Sequence, residues 1–139
     1  MRVVLDTTVL VAAARSRNGA SHALLSLLPD SRLEPVVSVP VFIEYPAALL
    51  RPENLCGRTP LQAEAFLDSL LAMSHIQEIF FNWRPALPDP NDDMILELAV
   101  AANCLYIVTH NLRDFRGSVT WGIAAISPGD FLRLIEGKS

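Results

Sequence analysis

The sequence predicts an α/β domain with a central, mostly parallel five-stranded sheet. Two observations carry this. Strand-sized apolar runs alternate with helical patterns along the chain, the order that builds parallel sheets. The runs, such as Val3-Val4-Leu5 and Leu105-Tyr106-Ile107-Val108, are apolar almost throughout instead of alternating with polar residues. That is the pattern of strands covered on both faces. The 139 residues are the size of one domain, spanning 1–139.

The elements follow in order. Residues 2–6 read as a buried strand, Val9 to Ala14 as a short helix, and Ser21 to Leu28 as a second helix stopped at Pro29-Asp30. Val36 to Val39 is a strand. Pro40 suits the first position of the helix Val41 to Leu50, because its missing N–H is not needed there. Pro46 should bend that helix. Arg51 to Pro60 reads as a loop. Thr59 caps a helix running to Met73, with an apolar stripe of Leu61, Ala65, Leu67, Leu70 and Leu71. Ile76 to Phe81 is the third strand and Asn82 to Pro90 a connection. Asn91 caps a helix from Asp92 to Ala102. Leu105 to Thr109 is the fourth strand, His110 to Gly117 a polar loop and Ile123 to Ile126 the fifth strand. Ser127 caps the last helix, with Pro128 at its first position, through Ile135.

Composition removes several function classes. Hydrophobic residues are 51% and charged residues 19%, which implies a packed core and not disorder. No stretch reaches the roughly 20 apolar residues of a membrane span. The acid at position 6 argues against a signal peptide. Cys56 and Cys104 fit neither a metal spacing nor a disulfide framework, so they read as reduced thiols in the cytoplasm. The net charge of −4 opposes nucleic-acid binding by bulk charge, unless divalent ions at an acidic site reverse the local field. No glycine-rich phosphate loop is present.

Four acids map to one edge. In open α/β sheets ligands bind beyond the carboxyl ends of the strands. Asp6 ends the first strand, Glu44 lies one turn into the helix after the second, Asp93 opens the helix after the third, and Asp114 follows the fourth. Each has an ordinary alternative: a polar strand end, a surface helix residue, an acid complementing the helix dipole, or a solvated turn residue. Together, without a counter-ion, they would repel and raise one another's pKa values. An oxygen-only cluster of this kind suits Mg²⁺ or Mn²⁺.

Five segments carry a family resemblance. They are Val3-Val4-Leu5-Asp6-Thr7-Thr8-Val9-Leu10; Val37-Ser38-Val39-Pro40-Val41-Phe42-Ile43-Glu44-Tyr45; Asp89-Pro90-Asn91-Asp92-Asp93; Tyr106-Ile107-Val108-Thr109-His110-Asn111-Leu112-Arg113-Asp114-Phe115; and Ser127-Pro128-Gly129-Asp130-Phe131-Leu132. In this order the chain resembles the PIN-domain family, in the group of VapC-like toxins of prokaryotic toxin–antitoxin pairs. The resemblance implies a three-layer α/β/α fold and a metal-dependent endoribonuclease, with Asp6, Glu44, Asp93 and Asp114 as catalytic metal ligands. Asp93 is preferred to Asp92 because the family's acid begins a helix with an alanine six residues on, here Ala99. Asp89 is left to a structural role or one supporting the metal ligands.

The same resemblance implies the surroundings of that site. Thr8, Asp92, Thr109 and Asn111 are candidates to position water or substrate. Arg15 and Arg17 are candidates to contact RNA phosphate, or else ordinary loop charges. Mg²⁺ or Mn²⁺ is the expected cofactor. RNA, a cognate antitoxin protein and a second copy of the chain are the expected partners. Three positions depart from the family pattern: Thr8 replaces Asn or Ser, Asn91 an Asp, and Thr109-His110-Asn111 a Thr-Gly-Asp turn. These departures leave an alternative in which the chain is a catalytically inactive RNA- or protein-binding module.

Overall fold

The computed structural model describes residues 1–79 and 87–137. Five strands form one parallel sheet: β1 (Arg2–Leu5), β2 (Glu34–Val37), β3 (His75–Ile76), β4 (Tyr106–Val108) and β5 (Ala124–Ile126). Their order is β3-β2-β1-β4-β5, with every pairing parallel. Val3, Val4 and Leu5 are at most 1% exposed, as expected of a central strand covered on both faces. Each such side chain contributes about 1.5–3 kcal/mol by leaving water.

The helices flank this sheet in a three-layer α/β/α arrangement. They are α1 (Thr7–Arg15), α2 (Ala20–Ser26), α3 (Val39–Leu49), α4 (Pro52–Leu55), α5 (Pro60–Ala72), α6 (Pro90–Ala101) and α7 (Pro128–Ile135). The chain builds β1, β2 and β3 in one direction, then returns through α6 to lay β4 and β5 on the other side of β1. The strand order therefore reverses between β1 and β4. A crevice opens at the carboxyl ends of strands where that happens.

Several local expectations hold. Thr59 and Gln62 form a reciprocal capping box, and Ser127 caps α7 with Pro128 at its first position. Others change for identifiable reasons. Ser38 turns out to be a cap, accepting from the Val41 N–H at 3.3 Å, so α3 starts at Val39 and Pro40 takes its second position. The buried stripe of α5 is Ala63, Leu67 and Leu70, while Leu61 is 75% exposed. Leu67 and Leu70 set the inward face, and the i−4 position from Leu67 is Ala63. Asp89, not Asn91, caps α6: it accepts from the Asn91 N–H at 2.9 Å, with Pro90 at the first position. The loop expected over Arg51 to Pro60 contains α4, and the loop after β4 winds into a 3-10 segment, Leu112–Trp121. The third strand ends at Ile76. Phe80 and Phe81, expected in it, lie outside the described residues, as do residues 82–86 of the expected connection.

Candidate functional site

Asp6 stands at the reversal point. Its own N–H extends the sheet ladder, donating to the Val108 carbonyl at 3.0 Å. Its φ and ψ (−69°, 152°) are extended, and it serves as the N-cap of α1. Asp6 Oδ1 accepts from the Thr7 N–H at 2.9 Å. Asp6 Oδ2 accepts from the Thr8 and Thr109 hydroxyls, each at 2.8 Å. The carboxylate is 5% exposed and Thr109 fully buried.

The two threonines also fasten the turn after β4. The Thr8 Oγ1 accepts from the His110 N–H at 3.1 Å, and the Thr109 Oγ1 from the Asn111 N–H at 3.0 Å. His110 is held further by its Nε2, 2.7 Å from the Ser21 Oγ on α2. One corner thus joins β1, α1, α2 and the turn carrying Asn111. It fixes where Asn111 and the following 3-10 segment with Asp114 can go.

α3 supplies the facing wall. The buried Tyr45 donates its hydroxyl proton to the Leu5 carbonyl at 2.7 Å, one residue before Asp6. Burial pushes the Tyr45 phenol above its usual pKa, and the charge of Asp6 adds to that, so the hydroxyl remains a donor. This bond docks α3 on the end of β1. Val41, Glu44 and Ala48, at helical spacings of three and four residues along one face, then line a cleft with Arg51, which follows the helix.

The cleft holds about 210 Å³ and gathers Asp6, Glu44, Asp89, Asp92 and Asp114, with Thr8, Asn91 and Asn111. Asp6, Glu44 and Asp114 therefore share one space, as the sequence suggested. The adjacent pair on α6 falls the other way round. Asp92 lines the cleft, whereas the Asp93 Oδ1 accepts from the Leu87 N–H at 2.9 Å. Successive helix residues diverge by about 100°, so only one of two neighbours can face a given wall. Asp89, expected in a structural or site-supporting role, caps α6 and lines the cleft as well.

The electrostatics of the cleft show in Asp92. Its pKa is pushed up to about 7, first by burial and then by the charges of Asp6, Asp89, Asp114 and Asp93. The acids thus crowd one another, and the carboxylate donors are oxygen throughout. That donor set fits a hard divalent cation such as Mg²⁺ or Mn²⁺. Among the described residues, no three His, Cys, Asp or Glu side chains already converge as a closed metal cluster. Among the described residues, Arg51 is the one basic side chain lining the cleft. The sequence places Arg51 in the segment after α3, and α3 does end before it; its position in the cleft is set by the turn into α4.

Arg15 and Arg17 lie elsewhere, at the far end of α1 and in the loop after it, beside a second cleft with Arg58. The Arg15 guanidinium donates to the Asn54 Oδ1 at 2.7 Å. No described helix is long and apolar enough to cross a membrane.

Comparison with known proteins agrees with this architecture. A family model described as the PIN domain matches residues 2–113. VapBC-1 from nontypeable Haemophilus influenzae superposes with a TM-score of 0.61 at 17% identity, covering 93% of this chain and 99% of that one. VapBC2 from Rickettsia felis, solved bound to a DNA fragment from its promoter, gives 0.61 at 18%, over 91% and 98%. A domain of a functionally unknown protein from Methanocaldococcus jannaschii gives 0.53 at 17%, over 91% and 89%. Among curated proteins none matches the chain. The family match spans most of the sequence, including Asp6, Glu44 and Asp92, and the chain belongs to the PIN-domain family.

Proposed function

We propose that the chain is a metal-dependent endoribonuclease and the toxin of a toxin–antitoxin pair. The observation that carries this is the meeting of Asp6, Glu44, Asp92 and Asp114 in one cleft at the reversal of the strand order. Those four would hold the cation, with Asp89 beside them. Bound there, Mg²⁺ or Mn²⁺ supplies a Lewis acid for a phosphate oxygen and a means of ionising water near neutral pH.

The chain's own residues set the geometry. Thr8 and Thr109 lock the Asp6 carboxylate in one rotamer, so it is presented to the cleft without reorganisation. Tyr45 holds Glu44 opposite. Asn111 lines the outer side, where its amide can orient water or substrate but adds no charge. Arg51 supplies a guanidinium to a phosphate whose approach the acids oppose. Arg15 and Arg17 are the proposed contacts for RNA phosphate beyond the cleft. Family membership supports nuclease chemistry at this edge. The VapBC likenesses support an antitoxin partner, and exposed Leu61 and Phe66 on α5 supply apolar surface for it or for a second copy of the chain.

The deciding experiment is cleavage of total RNA by the pure protein with Mn²⁺ or Mg²⁺. Cleavage should stop with EDTA and in Asp6→Asn and Asp92→Asn. Undiminished cleavage by Asp6→Asn would overturn the assignment. A fold-intact protein that neither cleaves nor binds Mn²⁺ by calorimetry would favour the inactive binding module instead.

A further inference from the structure

α1 has an acid cleft at one end and an arginine cleft at the other. Asp6 caps its start and Arg15 is its last residue. Nine residues of helix rise about 14 Å between them. The second cleft, of about 540 Å³, is lined by Arg15, Arg17, Arg58, Ala14, Gly57 and Gln62, with the exposed Cys56. No carboxylate is among its lining residues. Among the described residues, Arg15, Arg17, Arg51 and Arg58 form no ion pair; the ion pairs there join Arg2 to Glu34, Arg32 to Asp30 and Arg133 to Asp130.

The two clefts are joined by one segment, residues 51–58. Arg51 lines the acid cleft and is the N-cap of α4. After α4 the backbone passes through two left-handed residues, Cys56 (φ 52°) and Gly57 (φ 85°). This reversal returns Arg58 to α1, where its guanidinium donates to the Ala14 carbonyl at 2.9 Å. Asn54, in the middle of the segment, accepts from Arg15 and donates to the Ala48 carbonyl at 2.8 Å. Two of the arginines are therefore held in place by neutral acceptors and keep their charge uncompensated. A Cβ at Gly57 would meet nothing within 4 Å, so the cleft is open beside it.

We propose, resting on the nuclease reading above, that a single-stranded nucleic acid lies along α1 with its reacting phosphodiester in the acid cleft. Its flanking phosphates sit on Arg17 and Arg58, and Arg51 bridges the two. A cleft of five carboxylates repels a phosphate, so affinity must come from neighbouring cations. Guanidinium forks match phosphate oxygens, and the small residues Ala14 and Gly57 leave room for the backbone. None of the described residues lining the cleft is an aromatic that could stack on a base, so these arginines read the backbone and not the sequence.

The test is fluorescence anisotropy of a labelled fifteen-nucleotide RNA and a dinucleotide in EDTA, across a salt series. Mn²⁺-dependent cleavage is assayed in parallel. Each phosphate contact contributes about 0.7 to the salt slope for single strands. Arg17→Gln with Arg58→Gln should lower the slope by about 1.4 and weaken the long RNA about tenfold at 0.1 M salt. The dinucleotide should be unaffected, and Arg17→Lys with Arg58→Lys should retain the slope. Arg17→Gln alone, whose side chain makes no hydrogen bond or ion pair among the described residues, should lower it by about 0.7 and guards against a folding defect in the double variant.

An unchanged slope in Arg17→Gln and the double variant would overturn the proposal. So would an equal loss for the dinucleotide, an equal loss in Arg113→Gln with Arg116→Gln (beside Asp114 but in neither cleft), or displacement of the RNA by polyglutamate at lower concentration than by unlabelled RNA. Cleavage with an unchanged slope rejects only this path. A lowered slope without cleavage rejects only the nuclease reading.

Discussion

The two walls of the acid cleft are built differently. On the sheet side, Asp6 is almost fully buried, takes three hydrogen bonds, and is tied through Thr8 and Thr109 to the turn after β4. On the outer side, Glu44, Asp92 and Asp114 make no side-chain hydrogen bond or ion pair among the described residues, and Asp114 is exposed. A buried carboxylate without donors would be costly, so the inner acid had to be satisfied by the fold itself. The outer acids, half-buried at Glu44 and Asp92 and exposed at Asp114, are left to be ordered by what binds. The inner wall is therefore structure first and site second, and substitutions there should affect stability and activity together.

The largest expected effect is at that corner. Thr109→Val keeps the shape but removes the donor to Asp6 Oδ2 and the acceptor for the Asn111 N–H. Loss of such an orienting bond typically costs about 10–100-fold in metal affinity or activity, and about 1–3 kcal/mol of stability because a buried group loses its partner. Thr109→Ser should restore most of both. Calorimetric Mn²⁺ titration beside a urea melt checks this. Wild-type metal affinity in Thr109→Val would break the contrast between the walls.

Tyr45→Phe should act next. It removes the bond from α3 to the Leu5 carbonyl, worth about 1 kcal/mol, and frees the helix that carries Glu44. Cleavage should fall several-fold while the affinity for RNA, carried by the arginines, stays as it was. Equal losses in both would mean that Tyr45 supports the whole fold and not the facing wall.

Much of this was legible in the sequence because the fold class depends on period and order alone. Val3-Val4-Leu5 and the strands after it could be read as covered on both faces, and the acids follow strand ends. A side chain standing before a proline marked the caps at Thr59-Pro60 and Ser127-Pro128, although the same pair at Asp89-Pro90 was passed over for Asn91. What was illegible depends on rotation or on long-range contact. Nothing local distinguishes Asp92 from Asp93; the choice is made by where Leu87 and the sheet lie. Arg51 and Arg58 became visible only when α4, a single turn, was found to link the clefts. The role of Tyr45 needs a carbonyl forty residues away.

A smaller effect should mark the crowding of the acids. The folded-state pKa of Asp92, about 7, lies well above its ordinary value of 3.8. Between those pH values the unfolded chain carries the charge and the folded one takes up the proton. The penalty on the folded state therefore builds from about pH 4, is complete above about pH 7, and is absent below the unfolded pKa. In EDTA, Asp92→Asn should accordingly be more stable than wild type at pH 8, by about 1 kcal/mol once solvent screening is allowed for. The gain should vanish by pH 4. A gain independent of pH would show that its origin is not the charge.

The smallest effect separates the neighbouring acids of α6. The Asp93 carboxylate receives the Leu87 N–H at 2.9 Å, in the first turn of a helix whose dipole also favours an acid there. Asp93→Ala should thus cost about 1 kcal/mol of stability, readable as a small shift of the urea midpoint with an unchanged slope. It should leave Mn²⁺ affinity and RNA cleavage within about twofold, because the side chain bonds away from the cleft and alters its charge only at a distance. Asp92→Ala should do the reverse, stabilising the metal-free protein and abolishing cleavage. If Asp93→Ala abolishes cleavage while Asp92→Ala retains it, the outer wall is formed by the other face of α6, and the helix must rotate when the cation binds.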